Sequence, residues 1–202
     1  MSHYKLTYFN VRARGELSRL ILKCADVPFD DVRLTSEWPQ FKSETPFGKL
    51  PVLHVDGKVL AQSNTIARYL ARKHGLAGVD DWDQALADMY VDCATDLMNA
   101  MIPAAFEKDA TKQAEMFEKF FSEQVVPHVK IIEKDLAKNG SGFLVGSQLT
   151  WADLAYFNFF SGIMEKNPNV VKDAPHLRQL VSRVASIPQI KNWIAIRPQS
   201  SM

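Results

Sequence analysis

Cysteine is nearly absent. Only Cys24 and Cys93 occur among 202 residues, and they form no CxxC pair, which excludes a thioredoxin-type dithiol. Both lie among apolar residues at helical spacing and are expected as inert core thiols. Together with five histidines they show no metal-ligand spacing, so no metal site is expected. An excess of one charge is missing too: 24 Lys and Arg stand against 23 Asp and Glu. With no basic stripe, there is no electrostatic case for nucleic acid. No run approaches the roughly 18 apolar residues of a membrane span. The opening MSHYKLTYFN reads directly as a strand, with no basic n-region or long apolar h-region. The expectation is a cytoplasmic protein with no membrane partner. Internal repeats and low-complexity segments are also lacking.

What is present falls into two contrasting stretches. Residues 4–9 are β-prone, and residues 14–25 carry Leu17, Leu20, Ile21 and Cys24 at helical spacing. Pro28 and Phe29 end that helix and lead into a strand from Asp30 to Leu34. A loop rich in polar residues and proline covers 35–49. Two apolar runs, VLHV and KVLA, then flank Asp56-Gly57, a pair suited to the positive φ angles of a type I′ hairpin turn. A helix over about 64–74 closes a β-α-β-loop-β-β-α unit. After a linker over 75–83 the strand signals stop. Helical stripes follow at 84–108, 112–138, 150–166, 175–186 and 189–195. In LTWADL, Thr150 and Asp153 are spaced as an Asp variant of the capping box, with Leu149 and Leu154 at the staple positions. This marks a helix start and carries no chemistry.

Chemistry concentrates in the first stretch. Tyr8 sits near the end of the first strand, where open α/β units usually bind ligands. Alone, it reads more readily as a core tyrosine with a satisfied hydroxyl. Arg12 and Arg14 shift that balance, because cations at a helix N-terminus are locally unfavourable; Arg14 is better explained by an anion or a phenol that it polarises. A tyrosine hydroxyl donating to a thiolate lowers the thiol's pKa. In PFGKLPVL, a cis Leu50–Pro51 bond would turn the backbone of Leu50 outward to pair with a peptide ligand, whereas a trans bond is the ordinary case. Gln62-Ser63 precedes NTIARYLAR. Ser63 is a good N-cap, and the free N–H groups of a helix start make a carboxylate site, although a cap without a ligand fits equally. Trp38 and Lys42 share helical spacing within the 35–49 loop. Asp88, Asp92 and Asp96 lie four apart on one helix face, either as a solvated face or as a stripe that meets a cation.

The order YKLTYFNVRARGE, EWPQFK, TPFGKLPVL, DGKVLAQSNTIARYLARKHGL, GFLVGSQLTWADL and IPQIKNWIAIRP resembles the cytosolic glutathione transferases from end to end. Tyr8 in YFNVRARGE with Trp38 in EWPQFK is similar to the sigma class, which includes invertebrate members and the vertebrate prostaglandin D synthases. The resemblance implies α/β plus all-α architecture: a thioredoxin-like glutathione-binding domain (1–76), a linker (77–82) and an all-helical domain (83–202). It implies a homodimer and glutathione as co-substrate, with no other cofactor. It further implies that Tyr8 donates to the glutathione sulfur and that Arg14 supports that phenol. Trp38, Lys42 and Lys49 would hold the glycyl end; Leu50, ahead of a cis Pro51, would pair with the cysteinyl unit. Gln62 and Ser63 would hold the γ-glutamyl carboxylate. Asp96 would reach the γ-glutamyl ammonium of the ligand in the partner subunit.

The expected activity is detoxifying conjugation of the glutathione thiolate to apolar electrophiles. The acceptor site is expected between the first strand–helix loop and the helical domain, with Phe9, Met98, Ile102 and Phe106 as candidate lining. Glutathione-dependent prostaglandin H2 isomerisation, peroxide reduction, and a ligand-carrier or crystallin-like role are the alternatives. Two departures weigh against a dedicated prostaglandin isomerase: Pro103 aligns with a pocket tryptophan of that enzyme, and Thr95 with the third acid of its magnesium cluster. Pro103 is also expected to interrupt its helix. The family's usual Arg-Gly-Arg-Ala-Glu run occurs here as Arg12-Ala13-Arg14-Gly15-Glu16, with the two small residues exchanged.

Overall fold

The computed structural model describes residues 2–200. The chain divides into two compact units, Met1–Ala77 with Ala185–Met202, and Gly78–Val184. Met1, Ser201 and Met202 themselves lie outside the described residues.

The first unit runs β1 (Tyr4–Phe9), α1 (Ala13–Cys24), β2 (Phe29–Leu34), a short α2 (Trp38–Phe41) and a 3-10 turn (Lys42–Glu44). It continues through β3 (Val52–Val55), β4 (Lys58–Ala61) and α3 (Ser63–Lys73). The strand order is β2-β1-β3-β4. β1 is parallel to β2 and antiparallel to β3, and β3 and β4 form the expected hairpin. At its tip Asp56 and Gly57 take φ of 48° and 81°, the left-handed pair that a type I′ turn requires. β1 is central and buried on both faces: Tyr4, Leu6 and Tyr8 point one way and Thr7 the other. α1 packs against α3 and against α9 (Pro188–Ile196), the last helix of the chain. This is the expected thioredoxin-like arrangement, with Leu6, Ile21, Leu53, Ile66 and Leu70 fully buried in its core.

The second unit is helical, with no strand among its described residues. It contains α4 (Asp81–Phe106), α5 (Ala110–Phe120), a π turn (Phe121–Val125), α6 (Val126–Asn139), α7 (Trp151–Lys166), a 3-10 turn (Pro168–Val171) and most of α8 (Pro175–Ser186). α4 starts three residues before the expected position, because the Asp80 carboxylate accepts the Asp83 N–H at 2.8 Å and caps it. Pro103 does not interrupt this helix, contrary to the sequence expectation. It stands in the last turn, so only one backbone donor is lost, and the helix continues to Phe106. Gln113 then closes the end by donating its amide to the carbonyls of Ala104 and Glu107, at 3.1 and 2.9 Å. α7 starts as its signature requires. Asp153 accepts from the Thr150 N–H at 2.7 Å and the Thr150 hydroxyl at 3.1 Å.

The two cysteines are half-buried rather than in the core proper. Burial pushes both thiols up, and Asp96 and Asp92 raise Cys93 further. Both thus stay protonated at neutral pH. Among the described residues no helix is long and apolar enough to cross a membrane, and no group of three or more His, Cys, Asp or Glu side chains is placed to hold a metal ion.

Candidate active site

Strand register collects the candidate residues at one end of the sheet. Phe9 at the end of β1 pairs with Leu34 at the end of β2, which runs on to Trp38. Thr7 pairs with Val52 at the start of β3, directly after Leu50 and Pro51. Val52 in turn pairs with Ala61 at the end of β4, directly before Gln62 and Ser63. Three parts of the chain as much as 55 positions apart thus meet because β3 runs against both of its neighbours. The Leu50–Pro51 bond is cis. The Phe9 ring bridges Tyr8 and Trp38, with ring centroids 5.5 and 5.4 Å away.

Tyr8 is buried, at 6% exposure. Burial raises its phenol above the ordinary value of 10.0, against smaller lowering effects from the Arg14 N–H and the Arg14 and Arg19 charges. The group is therefore a neutral phenol at physiological pH. Its oxygen accepts the backbone N–H of Arg14, so its own O–H proton remains available to a second partner. The turn that makes this possible is strained: Ala13 takes φ of 30°, sparsely populated for a residue with a side chain.

Behind Tyr8 lies a buried ionic network that sequence reasoning missed. Arg19 is fully buried, with its guanidinium 5.8 Å from the Tyr8 ring centroid. It donates to Asp31 at 2.8 Å, to the Val11 carbonyl at 2.9 Å and to Glu16 at 3.2 Å. Asp31 also accepts from Arg33, which reaches Asn10 at 3.2 Å. The loop from β1 to α1 is thereby tied at Asn10 and Val11. Glu16, also fully buried, accepts from the Trp193 indole at 2.8 Å and from Arg197 at 2.9 Å. The available signal was an opposite-charge pair at i,i+3 on an otherwise apolar helix face.

The remaining candidates are placed as follows. Trp38 begins α2, and Lys42 follows one turn later with its stem against Gly48. Lys42 and Lys49 are exposed. Ser63 is not the N-cap of α3. Gln62 occupies that position, at φ of 72°, and Ser63 is the first helical residue. The chain enters α3 through this left-handed residue, which moves the cap back by one. No side chain caps this end; helix starts of this kind present N–H groups with no carbonyl inside the helix, and they attract anions. Asp96, Met98, Ile102 and Phe106 all lie on α4 of the second unit. Asp96 and Phe106 are exposed, while Met98, Ile102 and, in the first unit, Phe9 are half-buried.

Residues 4–72 match the glutathione S-transferase N-terminal domain, and residues 95–197 match the glutathione S-transferase C-terminal domain. The chain belongs to the glutathione S-transferase family. This transferase is 42% identical to glutathione S-transferase 1 of Ascaris suum, over 99% of each chain. It is 37% identical to the hematopoietic prostaglandin D synthase of Homo sapiens, over 100% of each. Among solved structures it resembles the monomeric Na-GST-3 of the hookworm Necator americanus, with a TM-score of 0.87 and 38% identity over 99% of this chain and 100% of that one. The transferase is therefore an enzyme with glutathione as its co-substrate, and the sheet end described above lies in its N-terminal family domain.

Proposed function

We propose that this transferase ionises glutathione through Tyr8 and conjugates the resulting thiolate to apolar electrophiles. The observation that carries this reading is the Arg14 N–H directed at the Tyr8 oxygen. That bond occupies an acceptor position, polarises the phenol and leaves its proton to be donated to a thiolate. A phenol held neutral by burial is a donor and not a base.

The tripeptide then lies along the end of the sheet. Leu50, ahead of Pro51, pairs with the cysteinyl unit as an added strand. Gln62, Ser63 and the start of α3 receive the γ-glutamyl carboxylate. Trp38, Lys42 and Lys49 hold the glycyl carboxylate. Asp96 serves the γ-glutamyl ammonium of glutathione bound in a partner subunit. The exposure of Phe47, 66% at the tip of its loop, supports a homodimer into which that ring inserts. Na-GST-3 is monomeric, so assembly is a property to be measured for each chain. Phe9, Met98, Ile102 and Phe106 contribute to acceptor binding. The sigma class, a detoxifying role and a cytoplasmic location complete the reading.

The test is Tyr8→Phe. Turnover of a small electrophile should fall by roughly one to three decades, as for loss of one charge-stabilising donor. Glutathione affinity should hold, and the bound thiol's pKa should rise. Unchanged turnover with an unchanged thiolate absorbance titration would remove Tyr8 from the mechanism. Full activity of a monomer in analytical ultracentrifugation would remove Asp96 from the site. A second reading, prostaglandin H2 isomerisation, is favoured by the 37% identity to hematopoietic prostaglandin D synthase. Catalytic efficiency with prostaglandin H2 against small electrophiles, with and without magnesium, separates the two.

A further inference from the structure

Apolar side chains of similar volume often replace a buried ion pair at no cost, so stability alone gives little reason for a charge on the fully buried Arg19. Its donors give another. Arg19 stands in the second turn of α1 and folds back over the first, as long helical side chains do. Besides Asp31 and Glu16, it binds the main chain on both sides of Asn10. Nη1 donates to the Val11 carbonyl at 2.9 Å and Nη2 to the Phe9 carbonyl at 3.4 Å. Asn10 itself is held through its side chain by Arg33. Three successive residues after Tyr8 are thus tied to guanidinium groups. The segment ends at Ala13, whose φ of 30° is strained; such strain persists only where the surroundings over-determine the backbone. It also sets where the Arg14 N–H lies relative to the Tyr8 hydroxyl. With its guanidinium 5.8 Å from the Tyr8 ring centroid, Arg19 braces both the ring and the turn that carries that N–H.

We infer that Arg19 is a positioning residue for the reaction: its fork, oriented by Glu16 and Asp31, holds the Phe9 and Val11 carbonyls and so keeps the Arg14 N–H in line with the Tyr8 hydroxyl. The inference rests on the reading of Tyr8 as the thiolate donor. It assigns the role to the fork and not merely to the charge. A guanidinium presents five N–H donors in a rigid plane, whereas an ammonium is one nitrogen on a flexible stem and cannot span two carbonyls and two carboxylates. The same geometry brings α9 into the alignment of Tyr8, because Trp193 and Arg197 fix Glu16 and Glu16 fixes Arg19.

The experiment introduces Arg19→Lys, which keeps a positive charge between Glu16 and Asp31, into the natural chain and into Tyr8→Phe. In the natural chain, kcat for 1-chloro-2,4-dinitrobenzene should fall about ten- to hundredfold, the scale of an ångström misplacement. The pKa of bound glutathione should rise, with little change in glutathione Kd. In Tyr8→Phe, the same change should lower kcat by less than about twofold, because the hydroxyl that Arg19 aligns is already gone. A merely structural Arg19 would lower kcat equally in both backgrounds and leave the thiol pKa in place. If circular dichroism shows that Arg19→Lys does not fold, Trp193→Phe decides in its stead, since it frees one side of Glu16 and leaves Arg19 intact. Its kcat should fall roughly two- to tenfold in the natural chain, and by less than about twofold in Tyr8→Phe. In the deciding variant, an equal loss in both backgrounds, or full kcat with an unmoved thiol pKa, would overturn the inference. If Tyr8→Phe itself is silent, the reading of Tyr8 fails; if Tyr8→Phe is impaired and the deciding variant is silent, only the role of Arg19 fails.

Discussion

Each unit of this transferase buries one carboxylate completely in the first turn of a helix: Glu16 in α1 and Asp153 in α7. The two are satisfied in opposite ways. Glu16 is surrounded by Arg19, Arg197 and the Trp193 indole, the last two reaching it from 181 and 177 positions along the chain. Asp153 receives only neutral donors, from Thr150 and from the Leu144 N–H nine residues back. Desolvation therefore dominates at Asp153 and raises its pKa to about 6, despite those hydrogen bonds. The first arrangement fastens a distant helix to the one that carries the active-site turn. The second starts a helix with partners close in sequence. Burial of a charge is thus tolerated either by assembling counter-charges through the fold or by dense local donors, and only the first couples remote parts of the chain.

The largest effect should come from breaking the first arrangement. Glu16→Ala leaves Arg19 buried beside a single remaining carboxylate, Asp31, and should cost about 3–5 kcal/mol in urea unfolding, as for other broken buried pairs. A loss below about 1 kcal/mol would show that the network relaxes at little cost. Asp153→Ala should be somewhat milder, roughly 2–3 kcal/mol, because it orphans neutral donors and not a charge.

The comparison also has a pH signature. The folded pKa of Asp153, about 6, lies above the unfolded value of about 3.9. The native state therefore holds this proton more tightly. Its contribution to stability is full below about pH 4 and is lost as pH rises through about 6. Urea unfolding of the natural chain and of Asp153→Asn should give a stability difference that moves against the natural chain between about pH 4 and about pH 7. A pH-independent difference would mean that the local donors fully compensate for burial. The smallest pair of effects separates range in sequence from strength. Thr150→Val, which removes the hydroxyl donor at α7, and Trp193→Phe, which removes the indole donor at α1, should each cost about 1.5–2 kcal/mol, the lower end of the range for one hydrogen bond to a charged group. Trp193→Phe alone should also speed hydrogen exchange in α1, since it loosens α9 from it.

Much of the fold follows from short-range pattern. Alternation and spacing mark β1, α1 and the helical stripes, Asp56-Gly57 specifies its turn, and the Thr150–Asp153 pair starts α7, because each of these is a decision among residues within a turn or two. The exceptions are informative. Pro103 is a strong local signal that a position near the end of α4 and the amide of Gln113 make harmless. Ser63 is the better N-cap by type, yet Gln62 takes that place, because the chain must leave β4 and enter α3 through a left-handed residue.

The order of residues along this chain settles which segments are strands and helices, where the acids and small residues stand, and that Tyr8 falls at a strand end. Tertiary packing settles the rest. Strand pairing brings Tyr8, Leu50 and Gln62 to one end of the sheet, and helix packing sets Gly15 of α1 against the Tyr8 ring and delivers Trp193 and Arg197 to a glutamate near the other end of the chain. Sequence pattern reports a residue's own backbone preference and its tendency to be buried, because both depend on neighbours three or four positions away. Which charge meets a buried charge, and which ring meets a missing Cβ, depends on close packing between segments far apart in sequence, and no local pattern encodes that distance.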